Sequence, residues 1–252
     1  GNTERPRRVL RGGRWSTTTS VPTPVALYDI QLKDRILMSS AMSLVTDSVK
    51  EYLAENGIVN SEYVALAYFT NAAEMNIKGI GIVSNYLKDF DNGGTWQSTV
   101  NWSYHKNKVT KVRPNPPVLD ALGDVGFQRI TRSQRKGLLA DQMPRSKFIW
   151  TNNYRKNNWG FTASAVRYGG FTDYSSTSYV YDDVYPGKWL VNASVDYHLD
   201  RWTFTVGSDN IFDTYPQEAP EGSNFHGIFK YPSASPFGQQ GAFWYGKIRY
   251  AW

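Results

Sequence analysis

The sequence predicts an all-β protein, an antiparallel transmembrane β-barrel segment of about eight strands. Apolar and polar residues alternate over runs of the ~9–11 residues that a tilted strand needs to cross a bilayer. The 252 residues include 9 Trp, 17 Tyr and 12 Phe, yet the mean hydropathy is -0.50. Short turns and long loops also alternate along the chain, as they do in outer-membrane barrels.

The clearest alternation lies in the last eleven residues of the chain. Trp244, Tyr250 and Trp252 belong to one face, whereas Lys247 and Arg249 belong to the other. A period of two over this length is typical of a strand with one apolar and one polar face. In a transmembrane barrel such a terminal strand closes the wall and places its aromatic residues at the membrane interface.

The same period recurs upstream and defines the other strands. Trp189 and Val195 share one face of a segment whose other face carries Ser194 and Asp196. We therefore predict that Val195 faces lipid, and that Ser194 faces the wet interior together with Lys33 of the first strand. The predicted strands lie near residues 24–36, 63–87, 95–106, 144–155, 158–171, 186–199, 202–211 and 239–252.

Short and long connections alternate between these strands. Asn92-Gly93 is a strong signal for a tight hairpin, and residues 156–158 and 200–201 also predict tight turns. The long connections span about residues 39–61, 106–145, 171–188 and 213–239. In outer-membrane barrels the short turns face the periplasm and the long loops face outward. We therefore expect a periplasmic carboxy-terminus.

The first long loop contains a predicted helix. Ser48 and Glu51 fit a capping box, and Asn56-Gly57 ends the helical pattern. Residues 118–122 predict a further helical turn in the next loop. Both would be short helices in extracellular loops.

Composition excludes several classes of function. The net charge is +6, but the basic residues form no stripe interleaved with aromatic residues, so no nucleic-acid partner is expected. The chain has no cysteine, which excludes disulfides and thiolate metal sites. Its three histidines lack zinc-site spacing, and no nucleophile elbow is present. We expect no enzyme activity, no catalytic or metal-binding residue and no cofactor.

The amino-terminal segment, residues 1–23, has no strand pattern and no secretory signal. It is predicted to be irregular and is left unassigned. The remaining residues, 24–252, are predicted to form one barrel unit. A soluble β-sandwich, such as a secreted lectin-like protein, is an alternative that produces the same alternation.

The long loops contain a candidate ligand-binding surface of aromatic and basic residues. Its members are Tyr174, Tyr179, Tyr181, Tyr185, Arg129, Arg132, His226 and Tyr231. The aromatic rings can stack on a planar or catecholate ligand, and the arginines can attract an anionic one. Alternatively, the rings pack the loops together, and the basic residues meet lipopolysaccharide phosphates.

One segment near the end of the chain resembles a known family. Residues 202–216 read WTFTVGSDNIFDTYP, which is similar to the penultimate strand and following turn of TonB-dependent outer-membrane receptors. The residues in the motif positions are Asn210, Phe212, Asp213, Tyr215 and Pro216. Four further segments resemble the family in order and spacing, at residues 53–57, 69–81, 143–147 and 167–173. The first of these is similar to a loop helix of the iron-complex branch.

The resemblance implies the carboxy-terminal third of a barrel of about 22 strands, over residues 24–252. It also implies an assembly signal formed by Ile248, Tyr250 and Trp252, which the barrel-assembly machinery reads. The family's plug domain, which contacts the TonB complex, has no counterpart in this sequence. We therefore expect a fragment that is not functional alone.

The function implied by the resemblance is active import of a scarce small-molecule ligand, a ferric siderophore, through the bacterial outer membrane. Outer-membrane lipid and lipopolysaccharide would surround the barrel. The alternative is a self-contained small outer-membrane barrel, a passive pore or an adhesin, because eight strands are enough to close one.

Overall fold

The computed structural model describes residues 18–20, 23–43, 47–57, 65–115, 117, 130–175, 179–224 and 228–252. The strands are β1 (Thr18–Ser20), β2 (Val25–Met38), β3 (Met42–Ser43), β4 (Ala65–Leu66), β5 (Phe69–Asp89), β6 (Thr95–Val112), β7 (Ser146–Lys156), β8 (Trp159–Tyr168), β9 (Phe171–Asp173), β10 (Asp183–Tyr185), β11 (Lys188–Leu199), β12 (Trp202–Asp209) and β13 (Phe243–Tyr250). The helices are α1 (Asp47–Glu55), a π-helix (Gln134–Asp141) and a 3-10 helix (Tyr179–Tyr181). Among these helices, none is long and apolar enough to cross a membrane.

The strands form one main antiparallel sheet in the order β1-β5-β6-β7-β8-β11-β12-β13, with β2 also paired to β5. β1 and β2 follow each other along the same edge of β5, since Thr18 lies opposite Lys88 and Val25 opposite Ile82. The sheet therefore has eight strand positions, and they coincide with the eight predicted from the sequence. The strand β1 lies inside the segment 1–23 that the alternation left unassigned.

The boundaries of several strands differ from the prediction. β5 begins at Phe69 rather than near 63, and β13 begins at Phe243 rather than near 239. β6 continues to Val112 rather than ending near 106, because β5 remains opposite it up to the pair Ala73 and Val112. The helix α1 begins one residue before the predicted cap Ser48 and is followed by Gly57, whose φ is +79°. The predicted turn at residues 118–122 lies outside the described residues.

All tight turns lie at one end of the main sheet. Because neighbouring strands are antiparallel, the connections at residues 90–94, 157–158 and 200–201 share one rim, here called the turn rim. The first residue of each two-residue turn has the positive φ that tight hairpins require, 51° at Asn157 and 50° at Asp200. The long connections lie at the opposite end, here called the loop rim.

One face of the main sheet, here called the apolar face, exposes large hydrophobic side chains. Cross-strand partners share a face, so the register aligns Phe161, Val195 and Val206 there. Near the turn rim, this face carries an aromatic row. Its closest pairs have ring centroids 5.5 Å apart for Tyr86 and Trp96, 4.8 Å for Trp159 and Tyr197, and 4.7 Å for Trp202 and Tyr250. Such a row is typical of the aromatic girdle of a membrane barrel.

Charged residues bound the apolar face at both ends. Toward the loop rim, Ile80 and its partner Leu27 are followed by the exposed ion pair of Lys78 and Asp29, whose Nζ and Oδ2 atoms are 2.9 Å apart. Toward the turn rim, the same face of β5 ends at Lys88. Lys78 and Lys88 are ten residues apart on one strand, or about 33 Å along it. At the ~40° tilt of barrel strands, this length gives a height close to the ~25 Å apolar band of such barrels.

The opposite face, here called the polar face, carries hydrogen-bonded polar side chains between the strands. Thr99 donates to Asn85 Oδ1 at 2.8 Å, and Thr162 donates to Asn153 Oδ1 at 2.9 Å. Ser194 lies in the same row as Thr162, so its predicted facing agrees with the register.

The facing predicted for the first strand is wrong. Tyr28 lies opposite Gly79 of β5, and Gly79 lies opposite His105 of β6, so Tyr28 is on the polar face. Lys33 belongs to the other alternating set of β2, which is on the apolar face. The physical reason is that alternation separates two faces without saying which one is inward, and pairing with β5 decides it. A loop segment also covers part of the polar face. Leu139 of the π-helix and Ile130 are buried there against Met75, with Leu32 packed beside them. Leu32 of β2 is therefore shielded from water by a loop segment, whereas Tyr28 and Ile30 on the same face remain exposed.

The main sheet is open among the described residues. β2 pairs only with β5, and β13 pairs only with β12. The two outer strands therefore present unpaired backbone edges, and the structure shows no closed barrel.

Candidate functional site

A cavity of about 500 Å³ opens among the loops at the loop rim. The hairpin of β9 and β10 forms one wall, and the 3-10 helix and residues 222–223 form the rest. The lining residues are Asp173, Tyr174, Ser175, Tyr181, Asp183, Gly222 and Ser223. Of the residues predicted to bind a ligand, Tyr174 and Tyr181 lie in this lining.

The hairpin beneath the cavity is fixed by a buried aromatic pair. Phe171 and Tyr185 lie directly opposite each other and stack with centroids 5.0 Å apart. Tyr185 is only 3% exposed, and burial raises the pKa of its hydroxyl from 10.0 to about 12. The sequence predicted a ligand contact at Tyr185, but the structure gives this residue a packing role outside the cavity lining.

An ion pair lies behind the wall of the cavity and contacts its lining residues Tyr174 and Ser175. Arg132 donates to both carboxylate oxygens of Asp182, at 2.6 Å for Oδ1, and to the carbonyl oxygen of Ser175 at 3.0 Å. This bidentate contact holds the pKa of the Asp182 carboxyl below its ordinary value and raises that of Arg132. The guanidinium also lies 5.9 Å from the ring centroid of Tyr174. Arg132 therefore ties the segment before the π-helix to the cavity wall, and its charge is already paired.

Two further carboxylates give the cavity a negative character. Asp173 and Asp183 lie directly opposite each other in the β9–β10 hairpin. Burial, and then the neighbouring charge of Asp183, raise the pKa of Asp173 above its ordinary value. Gln142 donates to Asp173 at 3.4 Å, but no salt bridge to either carboxylate occurs among the described residues. The sequence alone does not pair these two carboxylates, because only the hairpin register brings Asp173 and Asp183 together.

Two further predicted ligand residues among the described ones, Tyr179 and Tyr231, are not in the cavity lining. Tyr231 stacks on Tyr215 with centroids 5.8 Å apart, and Lys230 lies 5.5 Å from the Tyr231 ring. These contacts pack the loop between β12 and β13. Tyr179 begins the 3-10 helix, whereas Arg129 and His226 lie outside the described residues.

The motif after β12 forms a cap at the loop rim. Asn210 is buried and has a φ of 52°, and its side chain donates to the Thr214 carbonyl at 2.8 Å and accepts from the Thr214 N–H at 3.0 Å. Asp213 accepts from the N–H of Ala242 at 2.8 Å, just before β13. Phe212 is exposed, and Pro216 is buried. The motif residues therefore position the chain on either side of the last loop rather than contacting the cavity.

The predicted assembly residues lie at the edge of the sheet. Ile248 and Tyr250 lie opposite Phe204 and Trp202 on the apolar face of β13, and Trp252 follows with a side chain that is 99% exposed. Their apolar groups are therefore available to another partner. No group of three or more potential metal-binding His, Cys, Asp or Glu residues occurs in the described part of the chain.

Comparisons with known proteins agree with this architecture. The family model described as TonB dependent receptor-like, beta-barrel matches residues 12–211. The match covers β1 to β12 and ends next to Asn210, so the assembly residues and most of the motif lie beyond it. A search of curated proteins finds no match.

Proposed function

Because the chain belongs to the TonB dependent receptor-like β-barrel family, we propose that it forms part of the wall of an outer-membrane receptor that imports a ferric siderophore. Import in this family is transport and not catalysis. The family match carries the receptor assignment, and the cavity at the loop rim supports a ligand-binding role for the long loops.

The apolar face supports an orientation in the membrane. Its aromatic row lies at the turn rim, and its band is bounded by Lys78 and Lys88. In outer-membrane barrels the short turns are periplasmic, so the loop rim and its cavity would face outward. A ligand arriving from outside would meet Tyr174 and Tyr181 before it reached the polar face.

The charge of the cavity favours one kind of iron complex. Among the described residues, Asp173 and Asp183 form no salt bridge, and the charge of Arg132 is paired with Asp182. A strongly anionic complex would be repelled by these carboxylates at short range. The ligand we propose is therefore a ferric complex without net negative charge, such as a trihydroxamate, whose surface can pack on the two tyrosines.

An uptake measurement tests this proposal. Cells that depend on the receptor for iron are supplied with a radiolabelled ferric trihydroxamate or a ferric tris-catecholate, with and without a working TonB complex. We expect TonB-dependent uptake of the trihydroxamate. Tyr174→Ala and Tyr181→Ala should each reduce uptake at limiting ligand about tenfold, as removing an aromatic contact at the centre of an interface does.

Phe212→Ala is the matched control, because Phe212 is an exposed aromatic residue at the same rim but outside the cavity lining. It should leave uptake unchanged. Uptake of the tris-catecholate alone would contradict the proposed ligand charge. Uptake that does not depend on TonB would contradict the receptor function itself.

A further inference from the structure

A second cavity, of about 130 Å³, lies on the polar face near the turn rim. Four strands supply its side chains, namely Arg155 of β7, Asp196 and His198 of β11, Thr203 and Thr205 of β12, and Lys247 and Arg249 of β13. It is separate from the cavity in the loops and has no part in the import steps proposed above. Its volume is well below the about 300–1,000 Å³ of pockets for drug-sized ligands, so it suits a small group.

A glycine of β8 makes room for two residues of this cavity. Gly160 of β8 lies opposite both Arg155 and Asp196 in the sheet. A Cβ atom at Gly160 would overlap the Asp196 carboxylate, so this carboxylate can lie across β8 only because the side chain is absent. The same opening lets Arg155 reach across β8, where its Nη1 lies 3.5 Å from His198 Nε2.

The Asp196 carboxylate in the cavity is already hydrogen-bonded to His198. Asp196 Oδ2 lies 2.9 Å from Nε2 of His198, and Nδ1 of the same ring lies 3.1 Å from the Thr203 hydroxyl oxygen. The chain of contacts holds the imidazole in one orientation on the polar face. It also means that Asp196 is already bonded within the wall of the cavity.

The cations of the cavity lack counter-charges. Arg155, Lys247 and Arg249 form no salt bridge within the described part of the chain, and Asp196 is the one carboxylate of the lining. Three cations against one carboxylate leave a net charge of +2 when His198 is neutral. Like charges that converge on a recess repel one another unless an anion enters. Arginine and lysine at close range are also the residues that recognise oxoanions.

We propose that this cavity binds a small free oxoanion of the phosphate type. Arg155 and Arg249 would donate guanidinium hydrogen bonds, Lys247 would supply an ammonium group, and the anion would neutralise the three cations. Asp196 orients His198 but also repels the anion, so it limits the affinity. The turn rim would thereby present an anion site on the polar face, independent of the ligand that the loops bind.

Protection of Lys247 from chemical modification tests the site. Outer membranes from cells that make the protein are treated with an amine-acylating reagent at low ionic strength, and acylation is followed by mass spectrometry. Inorganic phosphate at about ten times its Kd should slow acylation of Lys247 about tenfold by mass action. Lys188 lies near the loop rim of β11 and serves as the internal control. Its acylation should not change.

Variants distinguish specific phosphate binding from nonspecific screening of the positive charges. Arg155→Gln should weaken phosphate protection of Lys247 about tenfold, which corresponds to about 1.4 kcal/mol. Asp196→Asn keeps an oxygen for His198 but removes the opposing charge, so protection should appear at lower phosphate concentration. Arg249→Gln replaces Arg155→Gln if that variant does not assemble, as judged by heat-modifiable gel mobility. Equal protection by chloride at the same ionic strength, or protection that neither arginine variant reduces, would overturn the proposal.

Discussion

At the scale of residues, position on the sheet decides what each side chain does. Val195 lies opposite Val206 and Phe161 on the apolar face, whereas its neighbour Ser194 lies opposite Gly207 on the polar face. Tyr185 looks like the other loop tyrosines in the sequence, but it is buried against Phe171. A residue type therefore suggests a chemistry, and only its neighbours decide whether that chemistry meets lipid, water or protein.

Charge on the apolar face should destabilise the protein more than charge on the polar face. We expect Val195→Arg to lower the free energy of unfolding by ~2–4 kcal/mol, the cost of arginine at a lipid-facing midplane position. Ser194→Arg, one residue away, should cost less because its side chain faces water. Urea unfolding of the intact receptor in lipid vesicles measures both. Equal losses would show that the two faces are wrongly assigned.

The hydroxyl of Tyr185 should make the β9–β10 hairpin sensitive to alkali. Its folded pKa of about 12 lies above the ordinary 10.0, so the fold favours the protonated form. The resulting stabilisation is present below pH 10 and is lost as the pH rises from 10.0 toward about 12. In the native protein, the absorbance of tyrosinate should show a late ionisation step at a pH of about 12, from Tyr185. This late step should be absent from Tyr185→Phe. An unchanged late step in that variant would mean that another tyrosine is responsible.

At the scale of elements, the last strand combines three roles. Its apolar face continues the aromatic row through Tyr250 and Trp202, and its polar face supplies Lys247 and Arg249 to the anion cavity. Its start is held by Asp213, which accepts a hydrogen bond from Ala242. β13 is also an edge strand, so its other backbone side has no partner among the described strands.

The terminal aromatic residue should matter for assembly rather than for ligand uptake. Trp252 lies at the turn rim, away from the loop cavity, and it is almost fully exposed. We expect Trp252→Ala to lower the amount of receptor inserted in the outer membrane, with unchanged affinity in the molecules that do insert. Trp244→Ala, at the loop end of the same face, should insert more efficiently than Trp252→Ala. The idea of an assembly signal would be abandoned if both variants inserted like the wild type.

At the scale of the whole molecule, the open sheet is the dominant feature. Strands in lipid cannot leave backbone groups unpaired, since each such group costs several kcal/mol. The edges at β2 and β13 therefore need partners in the membrane. The small-barrel alternative pairs these edges with each other, whereas the receptor proposal places further strands between them.

Cross-linking distinguishes these two arrangements. Because the 252 residues contain no cysteine, only the introduced cysteines of this chain can react. Cysteines placed one at a time along β2 are combined with Ile248→Cys and treated with a bismaleimide that spans about one strand spacing, ~4.8 Å. We expect no cross-link between β2 and β13. The directly opposed pair Phe204→Cys and Ile248→Cys is the positive control. An efficient link between the edges would establish a closed small barrel.

The sequence by itself determined the strand positions and the rims. A period of two, turn residues such as Asn92-Gly93 and the aromatic content are local signals, so the eight positions and the tight turns follow from them. The resemblance to the receptor family also rests on local motifs, and the family match confirms it. The predicted siderophore remains a proposal, because no local signal specifies a ligand.

Tertiary structure decided which face each residue occupies and which residues meet. Alternation separates two faces but does not say which one is inward, so the facing of Tyr28 depended on its pairing with Gly79 of β5. Asp173 meets Asp183 through the register of a hairpin, and Arg155 of β7 meets His198 of β11 only because β8 pairs with both of these strands. Register is set by the whole sheet, and a shift of one residue exchanges the two faces. The sites therefore emerge only when the strands are assembled.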